Sequence, residues 1–384
     1  MRNHVLILAI GFLPNIGGLE THLKDLIGEL IKQNWAVTVL TYQPLNTPAL
    51  GKWIERGKNL IIFRLPVLRG IFYKLYKKPI LEFLFLEPLL FLITPVILLI
   101  YKDISVVNAQ GLIAGFSACV WTKIFRKRYI VSAQSVYHFP KKGLYRQICK
   151  WIFKSADKII AISAQTKKDI ETLGISSNEQ SSSTNKIQVY TNWENSDFFK
   201  PHAKEHAKRE TGFTNKFVVS FFGRLVEEKG VKVVVETVKL SDSRITFAIY
   251  GEGPLVDYVK KAEQRYKNIV FMRTIPPDLL PLHYSAADLI IMPSLHEEGF
   301  GRVAAGALFC GTPVIASNRG ALPEVVNNSV GKIIDPNPKE FAEAVNFFYS
   351  NRETLKKCAS NARKYALRKF SEKNAEDIIS TFKN

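Results

Sequence analysis

The sequence predicts an α/β protein built from two doubly wound, mostly parallel sheets, and three observations carry that prediction. Short apolar runs alternate with helical-period segments along the whole chain, the pattern of parallel strands joined by crossover helices. The length of 384 residues exceeds what one compact core organises, since domains cluster near about 100–200 residues. A charged, proline-containing stretch, Asp197–Thr214, separates two strand–helix series of similar size. With 47% apolar and 23% charged residues, the chain is neither disordered nor collagen-like, nor a polytopic membrane protein.

The opening run VLILAIGF could pass for a short signal peptide. It ends in a Gly/Pro/Asn turn without a small-residue cleavage site, so it reads as a buried first strand feeding a glycine loop. The predicted strands of the first half are Val5–Ile10, Ala36–Thr41, Leu60–Leu65, Ile104–Ala109, Tyr129–Ala133, Lys158–Ile162 and Ile187–Tyr190, with helices between them. Gly174–Lys186 is polar and Ser-rich, too poor in apolar residues to pack, and reads as a surface loop within the first domain. The second series runs Phe217–Phe222, Thr246–Tyr250, Ile269–Met272, Leu289–Met292, Pro313–Ala316 and Gly331–Ile334. The predicted division is therefore an N-terminal domain over residues 1–197, a linker over 198–213, a C-terminal domain over 214–365, and a C-terminal helix over 366–384 that packs back toward the N-terminal domain.

A net charge of +19 points to anionic partners: nucleic acid, phosphorylated substrates or acidic lipid. Nucleic acid is not expected, because no recognisable module and no aromatics interleaved on an exposed strand are found. Four scattered cysteines, Cys119, Cys149, Cys310 and Cys358, lack metal-ligand or disulfide spacing, which suits a reducing compartment. Leu81–Ile100 is the most apolar window and has the length of a membrane span. A buried helix, a membrane-surface segment and a span all fit it. Glu82, Glu87, Pro88 and Pro95 argue against spanning, since carboxylates are costly at that depth and prolines break helices. Arg64, Arg69, Lys74, Lys77 and Lys78 precede the window, and ten basic side chains between Lys123 and Lys158 face only Asp157, which favours an anionic membrane surface as partner.

Five constellations fit a phosphate-bearing ligand. In FFGRLVEEKG, Gly223 ends a strand, and Arg224 and Lys229 follow on the loop at the carboxyl end of the sheet, a fork and a point charge suited to a diphosphate. YGEGPL places Gly253 in a strand-to-helix turn where a ligand approaches the backbone. HEEGFGRV places Phe300, Gly301 and Arg302 at a helix N-terminus with free amides, and offers Glu298 to sugar hydroxyls. CGTPVIASNRGALPEVV shapes a strand and loop leading to Glu324, as much a helix-dipole partner as a ligand. In the first half, Gly17 and Gly18 open a helix whose amides can face a phosphate or an acceptor, with Glu20 and His22 equally readable as exposed first-turn residues. No Ser/His/Asp set, no paired carboxylates at glycosidase spacing and no Walker lysine appears in the sequence, which gives little support to hydrolysis by a covalent route or to triphosphate cleavage.

The order of these motifs, with SADKIIAIS at Ser155–Ser163 and TNWENSDFFKP at Thr191–Pro201, resembles glycosyltransferase family four over nearly the whole chain. The resemblance implies a GT-B fold, two Rossmann-like domains facing across a cleft. It also implies a nucleotide-sugar donor in the second domain, an acceptor in the first, and retaining transfer without metal or cofactor. In that pattern Arg224 and Lys229 hold the donor diphosphate, Glu298 contacts the transferred sugar, and the amides of Phe300 and Gly301 help hold phosphate or sugar. Three positions depart from it. The second glutamate, which contacts the ribose, is Gly306 here. The histidines after two first-domain strands are replaced by Gln110 and Gln134, and His138 is a possible acceptor-side substitute. Glutamine donates and accepts hydrogen bonds but carries no proton charge.

The expected activity is transfer of a sugar to a lipid-linked or polysaccharide-precursor acceptor, by a cytoplasmic protein peripheral on the inner face of the plasma membrane. A catalytically silent binding relative and a sugar-nucleotide epimerase are the alternatives. Gly306→Glu is expected to lower the donor KM, unless Glu297 already substitutes for the missing carboxylate.

Overall fold

The computed structural model describes residues 3–15, 17–45, 47, 49–68, 78–175 and 186–383. The expected Arg69, Lys74 and Lys77, and most of the Ser-rich loop 174–186, lie outside the described residues. The chain divides into two compact units, residues 1–192 with 373–384 and residues 193–372. Both are Rossmann-like α/β units.

The first unit contains β1 (His4–Leu8), β2 (Ala36–Tyr42), β3 (Ile54–Gly57), β4 (Leu60–Leu65), β5 (Val106–Gln110), β6 (Arg128–Ala133), β7 (Lys158–Ala161) and β8 (Ile187–Val189), in the order β3-β4-β2-β1-β5-β6-β7-β8. All pairs are parallel except β3 with β4. The second contains β9 (Phe217–Phe222), β10 (Ile245–Tyr250), β11 (Ile269–Arg273), β12 (Leu289–Met292), β13 (Val314–Ser317) and β14 (Gly331–Ile334), ordered β11-β10-β9-β12-β13-β14 and wholly parallel. Central strands are buried on both faces, as in the run FVVSFF of β9, because helices cover both sides of each sheet. Strand β3 escapes sequence reading. Its residues IERG are all exposed, so no apolar alternation marks it, and it is tied down by Arg64, whose guanidinium bonds Glu55 and the carbonyls of Lys52 and Leu13. Arg64 is thus buried and drops out of the expected basic cluster.

Three expectations change. The stretch 198–213 is no linker but part of the second unit: Lys204–Glu210 forms a helix against Leu280–Ala286, Lys208 Nζ lies 2.7 Å from Asp288 Oδ2, and Ala207 and Phe213 are buried. The charges that suggested solvent exposure are partly spent on this anchoring pair. The expected helix 366–384 is two pieces. Arg352–Lys369 lies in the second unit, and Lys373–Lys383 in the first, where Phe382 meets Trp35 edge-on at 6.1 Å. Finally, Pro88 and Pro95 do not break the apolar segment, which is one helix over Pro79–Ile100. Pro95 frees the carbonyl of Phe91, four residues back, and Trp121 Nε1 donates to that oxygen at 2.8 Å.

Candidate active site

In the second sheet the strand order reverses between β9 and β12. Loops leaving the carboxyl ends of two such neighbours diverge to opposite faces and open a crevice, the usual ligand position in this architecture. The predicted residues converge there. Gly223 and Arg224 leave β9, Lys229 sits in the turn Glu227–Lys229, and Pro293–Gly301 leaves β12. The two loops are stitched together by Leu295 N and His296 Nδ1, which bond the Glu228 carbonyl at 2.9 Å each. A carbonyl only accepts, so Nδ1 of His296 is the donor in that contact.

Glu298 is the centre of the cluster. Its Oε1 accepts from Lys229 Nζ at 2.6 Å and Ser294 Oγ at 2.6 Å, and His296 Nε2 stands 3.7 Å away. Its Oε2 has no hydrogen bond among the described residues. Burial alone would raise this carboxyl, but the charges of Lys229 and His296 and the bonds from Lys229 and Ser294 outweigh it, and its pKa lies below the ordinary carboxylate value. A fixed anion with one oxygen engaged and one free can accept from a neutral hydroxyl while Lys229 keeps N–H capacity for a phosphate. Gly320 holds the loop from behind: at φ +54° it passes so close that a Cβ would lie 2.2 Å from the Glu298 carbonyl oxygen. Glu297 accepts from Gly320 N. In this position it braces the loop.

Arg224 is exposed, and no hydrogen bond or ion pair holds its guanidinium among the described residues. The Phe300 and Gly301 amides stand at the start of the Arg302–Phe309 helix, likewise without acceptors among the described residues, and the Phe300 ring is buried edge-on against Phe370 at 5.5 Å. Arg302 is not presented to a ligand. Its Nη2 bonds the fully buried Glu194 Oε2 at 2.7 Å, a partner that sequence reasoning missed although TNWENSDFFKP contains it. Gly253 has a packing reason of its own: at φ +152° its missing Cβ would lie 2.6 Å from the Leu225 carbonyl. Gly306 faces no open space. A Cβ there would lie 2.9 Å from Tyr284 and 3.2 Å from Phe199, two rings stacked at 6.0 Å. Aromatic carbon crowds the point from which any side chain at this position would start.

In the first unit the order reverses between β1 and β5. Gln110 ends β5 and Gln134 follows β6, and they are joined in one chain of amides. Asn108 Nδ2 donates to Ser132 Oγ at 3.0 Å and to the Ile130 carbonyl at 3.4 Å, Asn108 Oδ1 accepts from Gln110 Nε2 at 2.5 Å, and Gln110 Oε1 accepts from Gln134 Nε2 at 3.2 Å. The Ile130 carbonyl sets the direction of this chain, which leaves Gln134 Oε1 as its outward acceptor. His138 joins none of these bonds; with Lys141, Arg146 and Asp169 it lines a separate open pocket of about 430 Å³. Gly17 and Gly18 start the Gly18–Lys32 helix, but Glu20 and His22 are buried, not exposed. The Glu20 carboxylate, held by Asn15 at 2.8 Å, folds over Gly11 and Gly17. A carboxylate already placed at that helix start disfavours a second anion there.

Two family profiles match in chain order: Glycosyltransferase Family 4 over residues 16–180 and Glycosyl transferases group 1 over residues 203–365. The chain belongs to the group 1 glycosyltransferases of the family four type. Among curated relatives, spore coat protein SA of Bacillus subtilis is 29% identical over 196 residues, 47% of this chain and 52% of that one. A 41.2 kDa protein in the cps region of Klebsiella pneumoniae is 27% identical over 285 residues, 68% of this chain and 75% of that one. The chain thus spans about half the length of the first and more of the second. The Anabaena HepE structure in complex with UDP superposes over the whole of both chains with TM-score 0.77 at 20% identity. The shared fold is GT-B.

Proposed function

We propose that this protein is a retaining glycosyltransferase that uses a nucleotide-diphosphate sugar and no metal. Its acceptor is lipid-linked or a polysaccharide precursor, met at the inner face of the plasma membrane. The observation that carries the reading is the Lys229–Glu298 pair at the reversal point of the second sheet, with the unengaged Arg224 and the Phe300 and Gly301 amides on the same loops. The UDP bound by HepE supports a nucleotide donor.

As the bond from the anomeric carbon to the diphosphate oxygen breaks, negative charge grows on the leaving group. Arg224 and Lys229 are cations placed to meet it, and such preorganised stabilisation is commonly the largest catalytic contribution. Glu298 Oε2 accepts from a hydroxyl of the transferred sugar. The acceptor hydroxyl attacks from the face the leaving group vacates and passes its proton to a leaving-group oxygen, so no protein base is needed. Gln110, Gln134 and His138 are proposed acceptor-side residues. As neutral amides, the two glutamines orient a hydroxyl without taking its proton.

A thermal-shift panel of nucleotide sugars tests this. A bound donor at about a hundred times its Kd adds about 2.7 kcal/mol of stability, and Arg224→Ala and Lys229→Ala should each reduce that shift and slow transfer, at about 1.5–3 kcal/mol per charge-assisted bond lost. Wild-type protein that binds no nucleotide sugar, or binding and transfer unchanged from wild type in both variants, refutes the assignment.

A further inference from the structure

The Pro79–Ile100 helix is apolar on two opposite sides. Its inner side is core: Leu86, Leu90, Ile97 and Leu98 are buried, and Glu87 turns inward to accept from Ser117 Oγ at 2.7 Å. Its outer side carries Leu81, Leu84, Pro88, Leu92, Val96 and Leu99, all exposed, at three- and four-residue spacings. This is one stripe along a helix about 30 Å long, and no charged residue interrupts it. A surface helix facing only water places charged and polar residues there.

The stripe continues sideways. Phe83 meets Phe116 at 5.4 Å, and Phe116 meets Trp151 at 5.5 Å, which links the helix to Gly111–Phe125 and Leu144–Ser155. These neighbours add exposed Ile124, Leu144 and Trp151. Lys123, Lys141, Lys142, Lys150 and Lys154 are exposed around them, and most of the net charge of +19 belongs to this unit.

We propose that this three-helix layer is the membrane-docking surface of the protein, with the outer stripe of Pro79–Ile100 lying in the plane of one anionic leaflet and the lysines beside Leu144–Ser155 against its head groups. The proposal rests on the peripheral-membrane reading above and specifies where and how deeply it acts. The helix enters one leaflet and does not cross, because crossing would strip Leu86, Leu90, Ile97 and Leu98 from the core. The occupant is an anionic bilayer, since a second copy seated on the same face would set lysine against lysine, whereas acidic head groups complement an apolar stripe flanked by Lys and Trp.

The test uses the full chain floated with phosphatidylcholine vesicles with and without phosphatidylglycerol. The four native cysteines are buried, so Leu92→Cys can carry an environment-sensitive probe, with Leu240→Cys on the second unit as control. We expect flotation with acidic vesicles, a blue shift at 92 and none at 240. Leu92→Glu, at an exposed position that leaves the core intact, should lose at least about tenfold in binding. Lys150→Gln with Lys154→Gln should lose about 25-fold on acidic vesicles, about fivefold per lysine. Flotation unchanged by Leu92→Glu, with no shift at 92, overturns this surface and leaves membrane binding standing. No flotation overturns both. A dimer in sedimentation that Leu92→Glu abolishes, without flotation, gives the face to a second copy and overturns the proposal.

Discussion

Gly306 separates two opposed expectations. By the family pattern, a glutamate there restores a ribose contact and improves donor binding; by packing, it cannot be accommodated. The smallest perturbation is Gly306→Ala. In an open helix position it would stabilise by about 1 kcal/mol through backbone entropy. Here the new methyl lies 2.9 Å from Tyr284 Cε2 and 3.2 Å from Phe199 Cε1. Tyr284 is 3% exposed, stacked on Phe199 and edge-on to Phe222 at 4.7 Å, so this nearer ring has no room to yield cheaply. Overpacking of this kind costs about 1–3 kcal/mol, which outweighs the propensity gain and leaves the variant destabilised by about 1 kcal/mol. Gly306→Glu adds a carboxylate among aromatic carbons and should lose several kcal/mol more. Urea unfolding of both variants measures this. Phe199→Leu combined with Gly306→Ala should recover stability by relieving the contact, a coupling that a double-mutant cycle isolates. A stabilised Gly306→Ala, or a folded Gly306→Glu with a lower donor KM, would refute the packing argument and restore the ribose one.

Other outcomes follow from the same geometry. Glu298→Gln should preserve the thermal shift produced by a nucleoside diphosphate but reduce the extra shift from the attached sugar; loss of both would mean that Glu298 acts only by holding Lys229. Glu194→Ala leaves Arg302 without its buried carboxylate and should cost about 3–5 kcal/mol in denaturant unfolding, whereas a surface-sized effect would show the pair to be dispensable. Trp121→Phe removes the donor that Pro95 makes necessary at the Phe91 carbonyl, and should cost about 1–3 kcal/mol. Burial pushes the Glu87 carboxyl from 4.5 to about 8 despite the Ser117 bond. The folded state therefore keeps a proton that the unfolded state releases, and stability relative to Glu87→Gln should fall as pH rises from about 4.5 to about 8 and level off above. A difference between the two proteins that stays flat across that window would place Glu87 in a wetter setting.

The sequence by itself determined the two parallel sheets, because a strand buried on both faces must be a nearly continuous apolar run, and the predicted strands recur with ends shifted by no more than about two residues. It also singled out Arg224, Lys229 and Glu298, by their places on loops after such strands and by the resemblance to the family four pattern. Only tertiary structure could show β3, whose exposed IERG carries no apolar signal and depends on Arg64 from the neighbouring strand. Only tertiary structure could assign Arg302 to Glu194, 108 residues away in sequence, and turn Glu20 back over its own glycine loop. The division at Asn192, the anchoring of 204–210 and the transfer of 373–384 to the first unit depend on which surfaces meet. Local composition reports only that a segment is charged, not whether its partner lies in water or across the fold. Gly306 shows the same limit: a missing side chain reads as a lost contact in one dimension, and in three the space is already taken by Tyr284 and Phe199.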